Sequence, residues 1–118
     1  MPENARVFVA EDDPDFLDDL KMVLEGEGHA VTLSATSLEN ALQAIGNFQK
    51  LGIQVASIDG NLKRGVRSGT DGRQLVNAIR DLAPDVKIIG MSAEPITGVD
   101  VDLGKDRFEE LGQVVTGL

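Results

Sequence analysis

The residues Arg6-Val7-Phe8-Val9-Ala10-Glu11-Asp12-Asp13-Pro14 form the first strand-to-helix unit that the sequence predicts. The apolar run from Val7 to Ala10 is typical of a short strand that is buried on both faces of a parallel sheet. Pro14 suits the first turn of a helix, because its missing N–H would be unpaired there in any case. We therefore expect a buried strand, an acidic turn and a helix, in that order.

The same alternation of strand and helix continues along the chain. Further strands are predicted at residues 29–33, 53–58, 86–90 and 99–103, and further helices after Ser37, from Thr70 or Asp71 to Leu82, and over residues 105–118. This pattern predicts an α/β fold in which a five-stranded parallel sheet is covered by helices on both faces.

The connection between the fourth and fifth strands is an exception to this pattern. Only residues 93–98 separate the two predicted strands, and they include Pro95 and Gly98. A parallel crossover that contains a full helix needs a dozen or more residues. We therefore expect the fourth helix of the alternation to be missing or very short.

Length and composition limit the class of protein. The 118 residues, 42% of them hydrophobic, fit a single domain over residues 1–118 with a substantial core. The absence of cysteine excludes disulfides, thiolate zinc sites and a cysteine nucleophile. The net charge of −9 argues against binding to nucleic acid or to an anionic membrane. With no spanning apolar run and no signal-peptide pattern, we expect a cytoplasmic location.

Polar side chains follow the carboxyl ends of several predicted strands. They are Glu11 and Asp12 after the first strand, Asp59 after the third, Ser92 after the fourth and Lys105 after the fifth. Ligands of open α/β sheets bind outside these ends, so we expect the five side chains to line one crevice. Clustered carboxylates need a cation, and Mg²⁺ suits them because it also accepts phosphate oxygens. The set is chemically sufficient for phosphoryl transfer.

Five segments resemble the motifs of response regulator receiver domains. They are residues 7–14, which resemble the opening strand and acidic turn, residues 57–62, which resemble the phosphoacceptor segment, Thr70-Asp71-Gly72, Met91-Ser92-Ala93 and Lys105. The resemblance covers essentially the whole chain. It implies a flavodoxin-like, doubly wound sheet with strand order 2-1-3-4-5.

The resemblance also implies a role for each matching residue. Asp59 would accept the phosphoryl group, and Ser92 and Lys105 would contact its oxygens. Asn61 and Glu94 would flank the position from which hydrolytic water attacks, which predicts a short-lived phosphoryl group.

The same resemblance implies the ligands of a bound Mg²⁺ ion. Asp12 and Asp59 would contact the metal directly, and Glu11 would do so largely through water. The backbone carbonyl of Asn61 would complete the protein ligands.

As a receiver domain, the chain would act in a two-component phosphorelay. Its expected partner is a histidine kinase or a histidine phosphotransfer protein, and phosphorylation would switch its interactions with a downstream protein. It would not be an enzyme beyond catalysing its own phosphorylation and slow dephosphorylation. A homodimer stays open as an alternative.

Two positions depart from the family pattern at the fifth strand. Asp106 follows Lys105 where the family usually has a proline with a cis peptide, and Asp102 stands where an aromatic switch residue is common. These changes leave open an alternative, in which the chain is a receiver-like interaction module that works without phosphorylation.

Other interpretations have weaker support in the sequence. A magnesium-dependent aspartyl phosphatase would need an Asp-x-Asp-x-Thr/Val run, and residues 13–17 miss its last position. No glycine-rich nucleotide-binding loop follows a strand. His29 is expected at the surface or at a strand edge, and the four phenylalanines are expected in the core.

Overall fold

The computed structural model describes residues 4–60, 70–92 and 94–118, with Thr70 described by its backbone alone. The predicted alternation is present throughout this part of the chain. The elements are β1 (Arg6–Ala10), α1 (Pro14–Gly26), β2 (Ala30–Ala35), α2 (Leu38–Ile45), α3 (Phe48–Leu51), β3 (Val55–Ile58), α4 (Thr70–Leu82), β4 (Lys87–Gly90), β5 (Val101–Asp102), a 3₁₀ helix (Lys105–Glu110) and α5 (Leu111–Thr116).

The five strands form one parallel sheet in the order β2-β1-β3-β4-β5. This order and the flavodoxin-like fold that it defines confirm the predicted fold class. The register pairs Ala10 with Ile58, and Ile58 with Gly90. The three central strands therefore end at the same level of the sheet.

Side chains of the central strands enter two separate cores. In β1, Val7 and Val9 pack in the core that contains α1 and α5 residues, whereas Phe8 and Ala10 pack in the core beneath α2 and α4. Because alternate side chains of a strand point to opposite faces, a strand between two helical layers must be apolar at every position. This requirement explains the continuous apolar run from Val7 to Ala10.

Helix α1 begins as its sequence predicts. The Asp13 side chain accepts hydrogen bonds from the backbone N–H groups of Asp15, at 3.0 Å, and Phe16, at 3.5 Å. Pro14 occupies the first helical position, where no partner for an N–H is needed. This cap fixes the direction in which the helix leaves the acidic turn.

Two predicted helices are less regular in the structure. The second is split into α2 and α3, because Gly46 and Asn47 donate to the carbonyls of Gln43 and Ala44 in tight i→i+3 bonds. Glycine also favours helix less than other residues except proline, which suits a break here. The last predicted helix begins as the 3₁₀ helix and becomes α-helical only at Leu111.

The expectation that His29 lies at the surface was wrong, because its side chain is buried with a relative exposure of 3%. Its Nδ1 accepts a hydrogen bond from the Ala5 backbone N–H at 3.0 Å. Its Nε2 lies 3.1 Å from the Gly112 carbonyl and 2.9 Å from the Thr116 hydroxyl. A single polar ring thus joins the start of β1 to α5, and a lone histidine carries no sequence pattern that would reveal this.

The connection from β4 to β5 contains no helix among its described residues, 91–92 and 94–100. The described residues therefore agree with the prediction that the fourth helix of the alternation is missing or very short. Ile96 is buried, and Val99 packs partly buried against the same core. These two side chains cover the sheet where a helix would otherwise lie.

Arg80 of α4 holds this connection in place. Its guanidinium donates hydrogen bonds to the Gly98 carbonyl at 2.9 Å and to the Asp100 carboxylate at 2.9 Å. Asp100 also accepts from the backbone N–H of Ile88 at 2.8 Å. Although burial alone would raise the pKa of Asp100, these hydrogen bonds and the Arg80 charge lower it.

No helix in the described part of the chain is both long and apolar enough to cross a membrane.

We expect Arg80→Ala to loosen the connection between β4 and β5 selectively. The substitution removes the hydrogen bonds to Gly98 and Asp100. The unfolding free energy should fall by only about 1–2 kcal/mol, because the Arg80–Asp100 pair is partly exposed. Hydrogen exchange should accelerate mainly at residues 96–101. Arg73→Ala, on an exposed position of the same helix, is the matched control, and equal exchange in the two variants would contradict the assigned role of Arg80.

Candidate functional site

Backbone hydrogen bonds continue past the ends of the central strands. The N–H of Glu11 donates to Ala35 at 3.0 Å, and the N–H of Asp59 donates to Ala10 at 2.9 Å. These bonds carry the sheet register one residue beyond β1 and β3. Glu11 and Asp59 are therefore fixed side by side at the carboxyl edge of the sheet.

Three carboxylates meet at this edge. Glu11, Asp12 and Asp59 each contribute an oxygen, and these atoms all lie within 4.8 Å of one another. Glu11 and Asp59 are buried, with relative exposures of 0% and 1%, and Asp12 is partly exposed. Two carboxylates about 4 Å apart repel by roughly 4 kcal/mol at an effective dielectric constant of 20. The cluster therefore needs positive charge or a proton.

Lys105 supplies part of that positive charge. Its Nζ lies 3.1 Å from Asp59 Oδ2 and 3.4 Å from Glu11 Oε2. Burial alone would lower the pKa of Lys105, but the charges of Asp59 and Glu11 outweigh burial and raise it. Lys105 is therefore a permanent cation of the site.

Glu11 is the carboxylate that one ammonium group cannot keep ionised. Burial first, and then the Asp59 charge, raises the pKa of Glu11 from 4.5 to about 8. Hydrogen bonding to Asp12 acts in the same direction, whereas Lys105 opposes the shift. At neutral pH the metal-free site thus holds a proton on Glu11.

The donor set fits a hard divalent cation. Glu11 Oε1 is buried and receives no hydrogen bond from any donor in the described residues. Carboxylate oxygens within a few ångströms of one another are the ligands that Mg²⁺ and Ca²⁺ prefer. A cation bound near this oxygen would compensate its charge in place of the Glu11 proton.

Ser92 lies against the backbone that follows Asp59. A Cβ atom added at Gly60 would stand 2.7 Å from Ser92 Oγ, so the hydroxyl occupies space that only a glycine leaves open. The Met91 N–H donates to the Ile58 carbonyl at 2.8 Å and keeps the two segments together. Ser92 itself is buried, with a relative exposure of 5%.

Gly72 also supports the site, a role that the resemblance of Thr70-Asp71-Gly72 to a family motif does not specify. Its N–H donates to the Gly60 carbonyl at 2.9 Å, and an added Cβ would come within 2.6 Å of the Gly60 Cα. The first turn of α4 is thus packed on the residue after Asp59. The paired glycines Gly60 and Gly72 are the sequence signal for this close approach.

Phe16 is a second residue that the sequence analysis missed. It was expected only in the core, but its ring is partly exposed and lies under Lys105, with the centroid 5.4 Å from Nζ. Phe8 and Phe48 are buried core residues as expected. The position of Phe16 four residues after Asp12, in the first turn of α1, is the only hint that the sequence offers.

Glu94 and Asn61 are the two remaining predicted site residues. Glu94 is exposed in the connection after β4. Asn61 lies outside the described residues. Glu11, Asp12, Asp59 and Lys105 are thus the predicted residues that the structure brings into direct proximity, and Ser92 adjoins Gly60.

Comparison with known families gives one match, in which the family model of the response regulator receiver domain covers residues 7–101. This range includes the carboxylates and Ser92 but ends before Lys105. No curated protein sequence matches the chain.

Solved structures provide the second comparison. The signal receiver domain of NarL from Mycobacterium tuberculosis is 24% identical, with 98% of this chain and 96% of that chain covered and a TM-score of 0.77. CheY from Borrelia burgdorferi, in its complex with CheX, BeF₃⁻ and Mg²⁺, is 18% identical, with coverages of 96% and 88% and a TM-score of 0.78. At these identities the likeness establishes the fold alone.

A longer protein is also similar. The response regulator RcsB of Salmonella typhimurium is 20% identical with a TM-score of 0.73, and 98% of this chain is covered. The match spans only 59% of the RcsB chain.

We expect the stability of the metal-free protein to fall as pH rises, because of Glu11. A carboxyl group whose pKa is higher in the folded than in the unfolded state stabilises the fold only while protonated, so this contribution is lost between about pH 4.5 and pH 8. Glu11→Gln cannot lose that proton. Between about pH 5 and pH 8.5, its unfolding free energy should rise relative to wild type by at least about 1 kcal/mol.

Thermal unfolding at a series of pH values measures this difference. At high pH, Mg²⁺ should raise the unfolding free energy of the wild type more than that of Glu11→Gln. Glu25→Gln, an exposed glutamate on α1, is the control and should follow the wild type at every pH. If the stability of the wild type changed with pH in parallel with that of Glu11→Gln, the raised pKa of Glu11 would be contradicted.

Proposed function

This chain belongs to the family of response regulator receiver domains, and we propose that it accepts a phosphoryl group on Asp59 in a two-component phosphorelay. The observation that carries the proposal is the contact of Lys105 Nζ with Asp59 Oδ2 at 3.1 Å beside two further carboxylates. We propose that the single domain over residues 1–118 receives the group from a histidine kinase or a histidine phosphotransfer protein. Its action would be cytoplasmic.

The chemistry follows from the environment of Asp59. An oxygen of the carboxylate attacks phosphorus, and a P–O bond forms as the P–N bond to the donor imidazole breaks. The imidazole, already protonated on its other ring nitrogen, leaves as a neutral molecule. The attack needs an ionised Asp59, and the ammonium group of Lys105 stabilises that state. Lys105 then transfers its hydrogen bond from the carboxylate to a phosphoryl oxygen.

Glu11, Asp12, Asp59 and the backbone carbonyl of Asn61 are the groups that would hold Mg²⁺. Bound there, the ion neutralises the phosphoryl oxygens. The buried Glu11 Oε1, which lacks a donor among the described residues, supports this assignment.

Ser92 would bind the phosphoryl group from the other side. Its hydroxyl lies next to Gly60, and a donor at this position can reach an oxygen of a group carried by Asp59. A hydrogen bond to the phosphoryl group would draw Ser92 and the connection after β4 toward Asp59. This movement is our proposed switch for interaction with a downstream protein.

One observation favours a second function, that of an interaction module independent of phosphorylation. Strand β5 has only two residues, and no helix occurs among the described residues between β4 and β5. The surface formed there differs from that of a regular α/β crossover. A homodimer that forms through this surface is an alternative to the binding of a different protein.

We expect acetyl phosphate to add one phosphoryl group to the wild type in the presence of Mg²⁺. Asp59→Asn should abolish the adduct, because an amide cannot act as the nucleophile. Intact-mass spectrometry measures the adduct directly. Asp81→Asn, an exposed aspartate at the far end of α4, is the control and should be labelled like the wild type. A folded, Mg²⁺-loaded protein that acquires no adduct would favour the interaction module.

We expect Glu94→Ala to prolong the life of the phosphoryl group. A polar residue beside the site can hold the hydrolytic water in line, and its loss should slow dephosphorylation by roughly threefold to tenfold. The rate of phosphorylation should not change, because Glu94 is not one of the groups that we assign to the metal or to the phosphoryl oxygens. Adduct decay after removal of the donor measures the effect, with Glu109→Ala as the exposed control. Equal decay in both variants would contradict the role of Glu94.

A further inference from the structure

We propose that the rings of Phe16 and Phe108, here called the aromatic support, position the Lys105 ammonium group at Asp59. Both are positioning residues, because they would act on Asp59 only through Lys105. The inference rests on the proposed function, since it assigns these rings a part in phosphoryl transfer.

In the aromatic support, the Lys105 ammonium group lies above one ring, and a second ring packs against that ring. Lys105 Nζ lies over the Phe16 ring at 5.4 Å from its centroid, within the roughly 6 Å at which a cation is attracted to a ring face. The centroids of Phe16 and Phe108 are 5.2 Å apart with an interplanar angle of 68°, an edge-to-face arrangement. Phe108 thus fixes the ring that faces Lys105.

The aromatic support is also tied to the carboxylates. The Phe16 N–H donates to the Asp13 side chain at 3.5 Å, and the Asp13 N–H donates to Glu11 Oε2 at 3.2 Å. The same Glu11 oxygen accepts from Lys105 at 3.4 Å. Phe16 is therefore held at a defined distance from the acidic turn and from the ammonium group.

Lys105 needs such support because of its flexible side chain. Its side chain is 36% exposed and reaches the site on four methylene groups, whose ordering opposes a fixed position. Residue Gly104, which precedes it, has φ of +84°, and the 3₁₀ helix begins at Lys105 itself. The backbone directs the side chain toward the site, and the ring face limits where the ammonium group can lie.

Attraction to a ring face is suited to a group that must move. When phosphorylation occurs, Lys105 exchanges a carboxylate oxygen for a phosphoryl oxygen, and a hydrogen bond to a single acceptor would have to break. Attraction to the π-face requires only that the cation lie over the ring within about 6 Å of its centroid. The aromatic support therefore stabilises the ammonium group both before and after transfer.

A simpler role for the two rings is packing between α1 and the 3₁₀ helix. A double-mutant cycle separates the two roles. Phe16→Leu and Phe16→Tyr are compared in the wild-type and Lys105→Ala backgrounds, and the measured quantity is the rate of Asp59 phosphorylation by acetyl phosphate at saturating Mg²⁺. Phe48→Leu, in the core on the other face of the sheet, controls for a general loss of stability.

We expect Phe16→Leu to lower the rate about two- to fivefold in the wild-type background. Phe16→Tyr, which keeps the ring, should retain the rate, and Phe48→Leu should leave it unchanged while the protein is folded. In the Lys105→Ala background, Phe16→Leu should have no further effect. An equal loss in both backgrounds, or a Phe16→Tyr variant as slow as Phe16→Leu, would overturn the proposal.

Nuclear magnetic resonance of metal-free protein tests the geometry without any phosphoryl transfer. Protons on the Lys105 ε-carbon should resonate upfield in the wild type, because they lie over a ring, and should return to ordinary positions in Phe16→Leu. Ordinary positions in the wild type would overturn the aromatic support even if Asp59 is phosphorylated. An upfield shift without phosphorylation would support the aromatic support and refute the proposed function instead.

Discussion

The hydrogen bond from the Asp59 N–H to the Ala10 carbonyl is the constraint on which the site depends. It extends the pairing of β1 and β3 beyond their last residues and sets Asp59 beside Glu11, whose own N–H is held by Ala35. The backbone thereby imposes a proximity that the two carboxylates would not adopt by themselves. The free energy for this comes from the buried apolar strands on both sides, not from the polar groups.

Charge compensation then determines the rest of the site. Lys105 balances one negative charge and a proton on Glu11 balances another. In the function that we propose, a divalent cation would take the place of that proton. Because each of these partners satisfies only part of the cluster, the site is able to exchange one for another. A site with a complete set of fixed partners would have no need for either a metal ion or a phosphoryl group.

The sequence was sufficient for the parts of the structure that follow a local pattern. Continuous apolar strands, the cap at Asp13 and the short segment before β5 predicted the fold and the missing helix, and the strand ends predicted which carboxylates meet. The burial of His29 and the position of Phe16 under Lys105 were not predictable, because they arise from residues brought together over more than 80 positions of the chain. The split at Gly46 had a local signal, the glycine itself, but tertiary packing decides whether such a glycine interrupts a helix.

The connection that Arg80 pins at Gly98 and Asp100 has a mechanical consequence. No helix stands among its described residues, 91–92 and 94–100, and the Arg80 side chain fixes its far end to α4. If Ser92 moves toward Asp59 as proposed, the displacement would end at the residues that Arg80 holds. Strand β5 would then keep its place in the sheet while the surface in front of it changes shape.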